Sequence, residues 1–175
     1  MNLRSKIRRI PSFKGVVFWD ITPLLKDGQA FRECVKTMAD HYRASDIDII
    51  VSSEARGFIF GAALAYELGI GFVPIRKKGK LPSATVSLTY EKEYEKDTIE
   101  IHKDAIESGQ RVLLLDDLLA TGGTIKANAE LVEKLGGTIV GICAVIELEY
   151  LKGRDFLGDT YDIFSLITIQ TPEKL

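Results

Sequence analysis

Apolar positions along the chain recur with two different periods, and their alternation predicts the architecture. Over residues 27–43, Phe31, Val35, Met38 and Tyr42 fall on one helical stripe. Residues 47–51 are a short, continuous, β-branched run, the mark of a strand buried on both faces. Residues 57–68 (GFIFGAALAYEL) read as a second helix, rich in small and apolar residues and hence well buried, and 71–76 as another strand. Residues 77–97 break the pattern. They are charged, contain Gly79 and Pro82, and carry a Thr/Val/Ser/Leu segment in their middle, which predicts a protruding hairpin or loop rather than core. A short helical turn is expected at 102–107 and a buried strand at 111–115. A helix over 123–135 ends at Gly136 and Gly137, and strands follow at 138–146 and 161–168.

Strands alternating with helices of this length predict one α/β domain over 1–175, a central, mainly parallel sheet flanked by helices. In such sheets ligands bind at the carboxyl ends of the strands. That places Glu54, Ala55, Arg56 and Gly57 on one edge with Asp116, Asp117, Glu147 and Leu148.

Composition narrows the partners. With a formal net charge of -2, the chain has no general affinity for nucleic acid or anionic membrane. Its apolar runs are far too short to span a bilayer. The basic N-terminus, MNLRSKIRRI, lacks the apolar core of a signal peptide and reads as a surface helix or arm, so a cytoplasmic location is expected. Cys34 and Cys143 read as buried reduced thiols; with two His and no CxxC, a structural zinc site has little support.

The chemistry concentrates in RVLLLDDLLATGGT, residues 111–124. An apolar run ends in Asp116 and Asp117, and a small-residue turn follows before a helix begins. In that turn Gly122 and Gly123 let backbone N–H groups approach an anion. The next helix adds the positive end of its dipole, and Thr121 and Thr124 supply hydroxyls. The lysine of a Walker A loop is missing. Adjacent carboxylates repel and require hydroxyls, a metal or cations nearby. A ribose 5-phosphate unit answers both needs, with its phosphate in the turn and its 2- and 3-hydroxyls on the carboxylates.

VLLLDDLLATGGT closely resembles the phosphoribosyl-pyrophosphate motif of the type I phosphoribosyltransferases. GVVFWDITPLL, SSEARGFIFGAALAYELGIGFVPIRKKGKLP, EYEKDTIEIHKDAIESGQRVLLLDDLLATGGT and IELEYLKGRDFL occur in the order seen in the adenine-specific branch, across residues 10–166. The resemblance implies the reaction of adenine with phosphoribosyl pyrophosphate to give AMP and pyrophosphate in purine salvage, with Mg2+ and a homodimer. It implies a base-pocket hood over 1–25 and a flexible catalytic loop over 77–97. Arg56 and Gly57 match the pyrophosphate loop. Arg76, Lys77 and Lys80 match a second basic cluster, part of which reaches the neighbouring subunit. Ala120, Thr121, Gly122, Gly123 and Thr124 hold phosphate. Asp116 and Asp117 hold the sugar hydroxyls and meet magnesium through water, with no direct protein ligand expected. Glu93 and Tyr94 match the acid–base and closing residues of the loop. Phe18 and Leu148 stack the base, and backbone groups of Val17 and Trp19 read its edge.

Two departures stand out. Trp19 occupies the place of an arginine, which keeps a backbone N–H but not a guanidinium charge, and Glu95 replaces a glycine after Tyr94. Two alternatives remain at this point. A transferase for hypoxanthine, guanine or xanthine usually has a lysine near the purine O6, whereas the matching stretch here is Ala144, Val145, Ile146, Glu147. A non-catalytic purine sensor of the same fold would usually carry a DNA-binding domain, for which about ten residues ahead of the resemblance leave little room.

Overall fold

The structure, a computed structural model, describes residues 2–91 and 96–172. The chain opens with a 3-10 turn (Leu3–Lys6) and an antiparallel hairpin of β1 (Arg8–Phe13) and β2 (Val16–Asp20). α1 (Thr22–Lys26) leads into α2 (Gly28–Tyr42). The Asp27 carboxylate accepts from the backbone N–H groups of Gln29 and Ala30, each at 3.1 Å, and so caps α2 at its first turn. There follow β3 (Ile49–Ser53), α3 (Arg56–Leu68), β4 (Gly71–Lys77), β5 (Thr85–Glu91), β6 (Lys96–His102) and β7 (Arg111–Leu119). The remaining elements are α4 (Gly123–Lys134), β8 (Thr138–Leu148), α5 (Gly153–Leu157) and β9 (Ile163–Ile169).

Seven strands form the main sheet in the order β5-β6-β4-β3-β7-β8-β9. β4, β3, β7, β8 and β9 are parallel; β6 and β5 join antiparallel at one edge. Alternation along β7 divides the core. Leu113 and Leu115 pack with Met38 of α2 and with Phe60 and Leu64 of α3, whereas Val112 and Leu114 pack with Leu131 and Val132 of α4. Each fully buried leucine of this kind contributes about 2 kcal/mol of transfer free energy. The expected mainly parallel, helix-flanked sheet is therefore present.

Four details differ from the sequence pattern. β7 does not stop at Leu115. Its ladder with β8 continues to the Leu119–Glu147 pair, so Asp116 and Asp117 lie inside a strand, 9% and 8% exposed, rather than just past its end. Residues 102–107 are not helical. β6 runs to His102, and a turn closed by the Ala105 N–H on the His102 carbonyl (3.1 Å) drops Ile106 into the core. The hairpin expected within 77–97 continues to His102 and, through Ile99 and Ile101, forms a buried edge of the sheet. Where a surface helix or arm is expected at the N-terminus, a 3-10 turn (Leu3–Lys6) leads into β1 at Arg8.

Candidate active site

Strand alternation explains how two neighbouring carboxylates are kept together. Asp116 follows Val112 and Leu114 toward the α4 side, where the Ser53 hydroxyl donates to its Oδ2 at 3.3 Å and the Asn128 amide of α4 donates to Ser53 at 3.1 Å. The Asp117 N–H donates to Asp116 Oδ1 at 2.9 Å. Asp117 points the other way, toward α3, and meets Arg56 with Nε 2.8 Å from Oδ2. Burial raises the pKa of Asp116 well above the ordinary carboxylate value, and the neighbouring Asp117 charge adds to the rise. Burial also raises Asp117, opposed by the Arg56 charge. Gly57 makes this closeness possible, because a Cβ there would lie 2.5 Å from the Ser52 Oγ and 3.1 Å from Asp116 Oδ1.

The turn expected to cradle an anion lies where β7 gives way to α4. Ala120 and Thr121 turn the chain, Gly122 takes φ +88°, and Gly123 begins the helix. A side chain at Gly122 would also meet the Gly153 carbonyl at 2.9 Å and Phe156 at 3.0 Å, so α5 backs the loop from behind. Thr124 sits in the first turn, its hydroxyl 3.2 Å from that of Tyr90 on β5. A polar cavity of about 230 Å³ joins this loop to Ser53, Glu54, Arg56 and the two aspartates.

Glu54 gathers the basic cluster. It accepts from Arg76 Nε at 2.8 Å and lies 3.2 Å from Lys80 Nζ. Burial works against its charge, but Arg76 and Lys80 outweigh it and hold the carboxyl below its ordinary value. Lys77 instead pairs with Asp97 at 3.5 Å. Arg76 and Lys80 thus stand beside the polar cavity with their charge shared, and Lys77 turns to the hairpin.

A second, largely apolar cavity of about 850 Å³ shares Leu118, Ala120, Thr121, Gly123 and Thr124 with the first. Val17, Phe18, Trp19 and Leu148, the residues expected to meet the base, all line it. The Arg56 guanidinium lies 5.1 Å from the centre of the Phe18 ring, which ties the floor of one cavity to the wall of the other. Trp19 is only 3% exposed, and its indole N–H donates to the Tyr150 hydroxyl at 3.2 Å. Its side chain is therefore chiefly packing. Behind Leu148, Glu147 is clamped by Arg154, Nη2 to Oε2 at 2.7 Å, and by the Ser165 hydroxyl at 2.6 Å.

Glu93 and Tyr94, and with them Glu95, lie outside the described residues. Of the other expected residues, Arg56, Asp116, Asp117 and residues 120–124 line the polar cavity and Val17, Phe18, Trp19 and Leu148 the apolar one; Arg76 and Lys80 reach the polar cavity only through Glu54, and Lys77 is turned away from it. Sequence reading missed Ser53, Asn128, Tyr90 and Tyr150. Ser53 comes from the end of β3, Tyr90 from the hairpin, Asn128 from α4 and Tyr150 from the turn at 149–151, so only tertiary contacts reveal their parts.

The chain resembles known proteins throughout. Residues 21–172 match the family described as the phosphoribosyl transferase domain. An adenine phosphoribosyltransferase of Acidobacterium capsulatum is 54% identical over 167 residues, which is 94% of this chain and 92% of that protein. The crystal structure of adenine phosphoribosyltransferase from Thermoanaerobacter pseudethanolicus superposes with a TM-score of 0.92 at 54% identity, covering 95% of this chain and 98% of the other. The Saccharomyces cerevisiae enzyme, solved with an imino-altritol bisphosphate and adenine, superposes with a TM-score of 0.87 at 40% identity, over 94% and 96% of the two chains.

Proposed function

The chain belongs to the phosphoribosyl transferase domain family, and we propose that it transfers the 5-phosphoribosyl group of phosphoribosyl pyrophosphate to adenine, releasing AMP and pyrophosphate, as a purine-salvage enzyme. One observation carries this reading. A polar cavity holding two carboxylates and an anion cradle opens, through the same loop, onto an apolar cavity lined by Phe18 and Leu148. A ribose phosphate fits the first and a flat base the second, with the anomeric carbon at their junction.

In this mechanism adenine N9 forms a bond to C1 as the C1–oxygen bond to pyrophosphate breaks. The N9 proton passes to a base, and pyrophosphate leaves with the bonding pair. Positive charge develops on the sugar, as in glycoside cleavage, and Asp116 and Asp117 hold its hydroxyls while opposing that charge. Arg56, Arg76 and Lys80 offset the growing negative charge on pyrophosphate, and Lys77 serves from the hairpin side. The 120–124 loop anchors the 5-phosphate. Glu93 and Tyr94 carry proton transfer and closure on the strength of the family resemblance. Among the described residues, β2 has a strand partner on one side only. Val17 and Trp19 are two apart, so their backbone groups point the same way and can read a purine edge. A carbonyl that accepts from an exocyclic amine repels an oxo group, which favours adenine over 6-oxopurines.

Among the described residues, no three His, Cys, Asp or Glu side chains gather to hold a metal. The donor set fits magnesium carried by the substrate: Asp116 and Asp117 would meet it through water, and the ion would neutralise pyrophosphate oxygens. We also assign 1–25 as the hood and 77–97 as the catalytic loop. A homodimer is supported by Ile59 and Tyr66, seven apart on α3 and 42% and 88% exposed. A cytoplasmic setting agrees with the free, buried thiols of Cys34 and Cys143.

The test is to incubate the protein with phosphoribosyl pyrophosphate, Mg2+ and adenine and to quantify both products. AMP and pyrophosphate in equal amounts support the reading. Pyrophosphate without AMP, or neither product, contradicts it.

A further inference from the structure

The Tyr90 hydroxyl lies 3.2 Å from the Thr124 Oγ. Tyr90 comes from β5 of the edge hairpin and Thr124 from the first turn of α4, so the contact joins two elements that meet only in the folded chain. Both residues also line the apolar cavity. Tyr90 therefore stands beside the phosphate cradle and the base pocket at once.

The contact has a direction that an anion would decide. A threonine hydroxyl has one hydrogen and two lone pairs. If Thr124 donates to Tyr90, its hydrogen is spent and its lone pairs face the cradle, where they repel a phosphate oxygen. If Tyr90 donates instead, Thr124 keeps its hydrogen for the phosphate. A hydroxyl that already accepts one bond also donates a stronger one. A bound phosphate thus selects the order Tyr90 to Thr124 to phosphate.

We propose that Tyr90 is a positioning residue of the phosphate cradle, its hydroxyl fixing the direction of the Thr124 O–H toward the 5-phosphate. This rests on the reading of residues 120–124 as the phosphate site. Tyr90 acts on ligands through Thr124, so its hydroxyl matters to phosphorylated ligands and not to the free base. The Tyr90 ring, by contrast, is wall to the base cavity and is retained by phenylalanine.

Tyr90→Phe separates the two roles. Calorimetric titration of the full chain with AMP should show about five- to tenfold weaker binding than wild type, the loss expected for one hydrogen bond to a charged group's partner. The KM for phosphoribosyl pyrophosphate should rise in parallel while the KM for adenine and the melting temperature stay at wild-type values. In a Thr124→Val background the same change should have no further effect, because the chain of hydrogen bonds is already cut. Unchanged AMP affinity in Tyr90→Phe overturns the proposal. So do losses that multiply in the double variant, or a KM for adenine that rises as much as that for phosphoribosyl pyrophosphate. Wild-type protein that binds no AMP would instead overturn the phosphate-site reading, and this inference with it.

Discussion

Arg56 closes on Asp117 at the junction of α3 and β7, its Nε 2.8 Å from the carboxylate Oδ2. The aspartate is almost wholly buried, whereas the arginine side chain keeps 38% of its surface in solvent. The pair is thus anchored on its acidic side and open on its basic side, where a polyanionic leaving group would arrive. Arg56→Lys should lower kcat/KM for phosphoribosyl pyrophosphate about 10²-fold. A compact ammonium cannot reach the carboxylate and a phosphate together as a planar guanidinium does. Near-wild-type steady-state kinetics in this variant would remove Arg56 from the reaction.

Asp117→Asn should cut turnover at least about 10²-fold, since the charge opposing the oxocarbenium-like sugar is lost. The circular dichroism spectrum should stay native, because the amide occupies the same volume. Wild-type turnover would contradict the assignment.

Asp116→Asn should stabilise the fold at neutral pH. The folded pKa of Asp116 is raised by burial and by Asp117, so the folded state holds its proton to higher pH than the unfolded chain. The stability this lends is present below the unfolded value, about 3.9, and is lost as pH rises through the folded one. At pH 7 the buried Asp116 carboxyl is therefore a cost that asparagine removes, for a gain of about 2–4 °C in melting temperature. Below pH 4 the two proteins should melt together. A variant that melts lower at pH 7 would show that the carboxylate is well paired instead.

Arg154→Met tests the clamp behind Leu148. Arg154 holds the Glu147 carboxyl below its ordinary value, against burial and with help from Ser165. A depressed folded pKa contributes stability that is present above the unfolded value, about 4.3, and lost as pH falls through the folded one. Removing the arginine leaves a buried carboxylate and should cost about 2 kcal/mol at pH 7 in urea titrations, discounted because Arg154 is itself half exposed. The difference should shrink toward zero as the pH falls below 4. A difference independent of pH would mean that the methylene packing of Arg154, not its charge, matters.

Much of this was legible from periodicity. The stripe of Phe31, Val35, Met38 and Tyr42 became α2, and the small-residue run became α3, because an amphipathic or uniformly apolar pattern is decided locally. The end of β7 was not legible. Charge at Asp116 breaks the apolar run, yet the ladder to β8 continues because the partner strand, not local preference, supplies the hydrogen bonds. The turn at 120–124, the paired aspartates and the cavity-lining residues Phe18 and Leu148 were legible because each lies in a contiguous motif. Ser53 and Asn128 were not: Ser53 reaches Asp116 from β3 and Asn128 of α4 donates to Ser53, and only the register of β3 against β7 puts Ser53 beside the aspartate.

The central claim is a ribose phosphate site joined to a pocket for adenine. The most direct measurement is nucleotide formation from phosphoribosyl pyrophosphate and Mg2+ with adenine, hypoxanthine and guanine in parallel, read as kcat/KM for each base. The account predicts AMP from adenine, with the 6-oxopurines slower by at least about 10²-fold. Equal or faster conversion of hypoxanthine or guanine would contradict the adenine assignment, and binding of all three bases without turnover would contradict the enzyme itself.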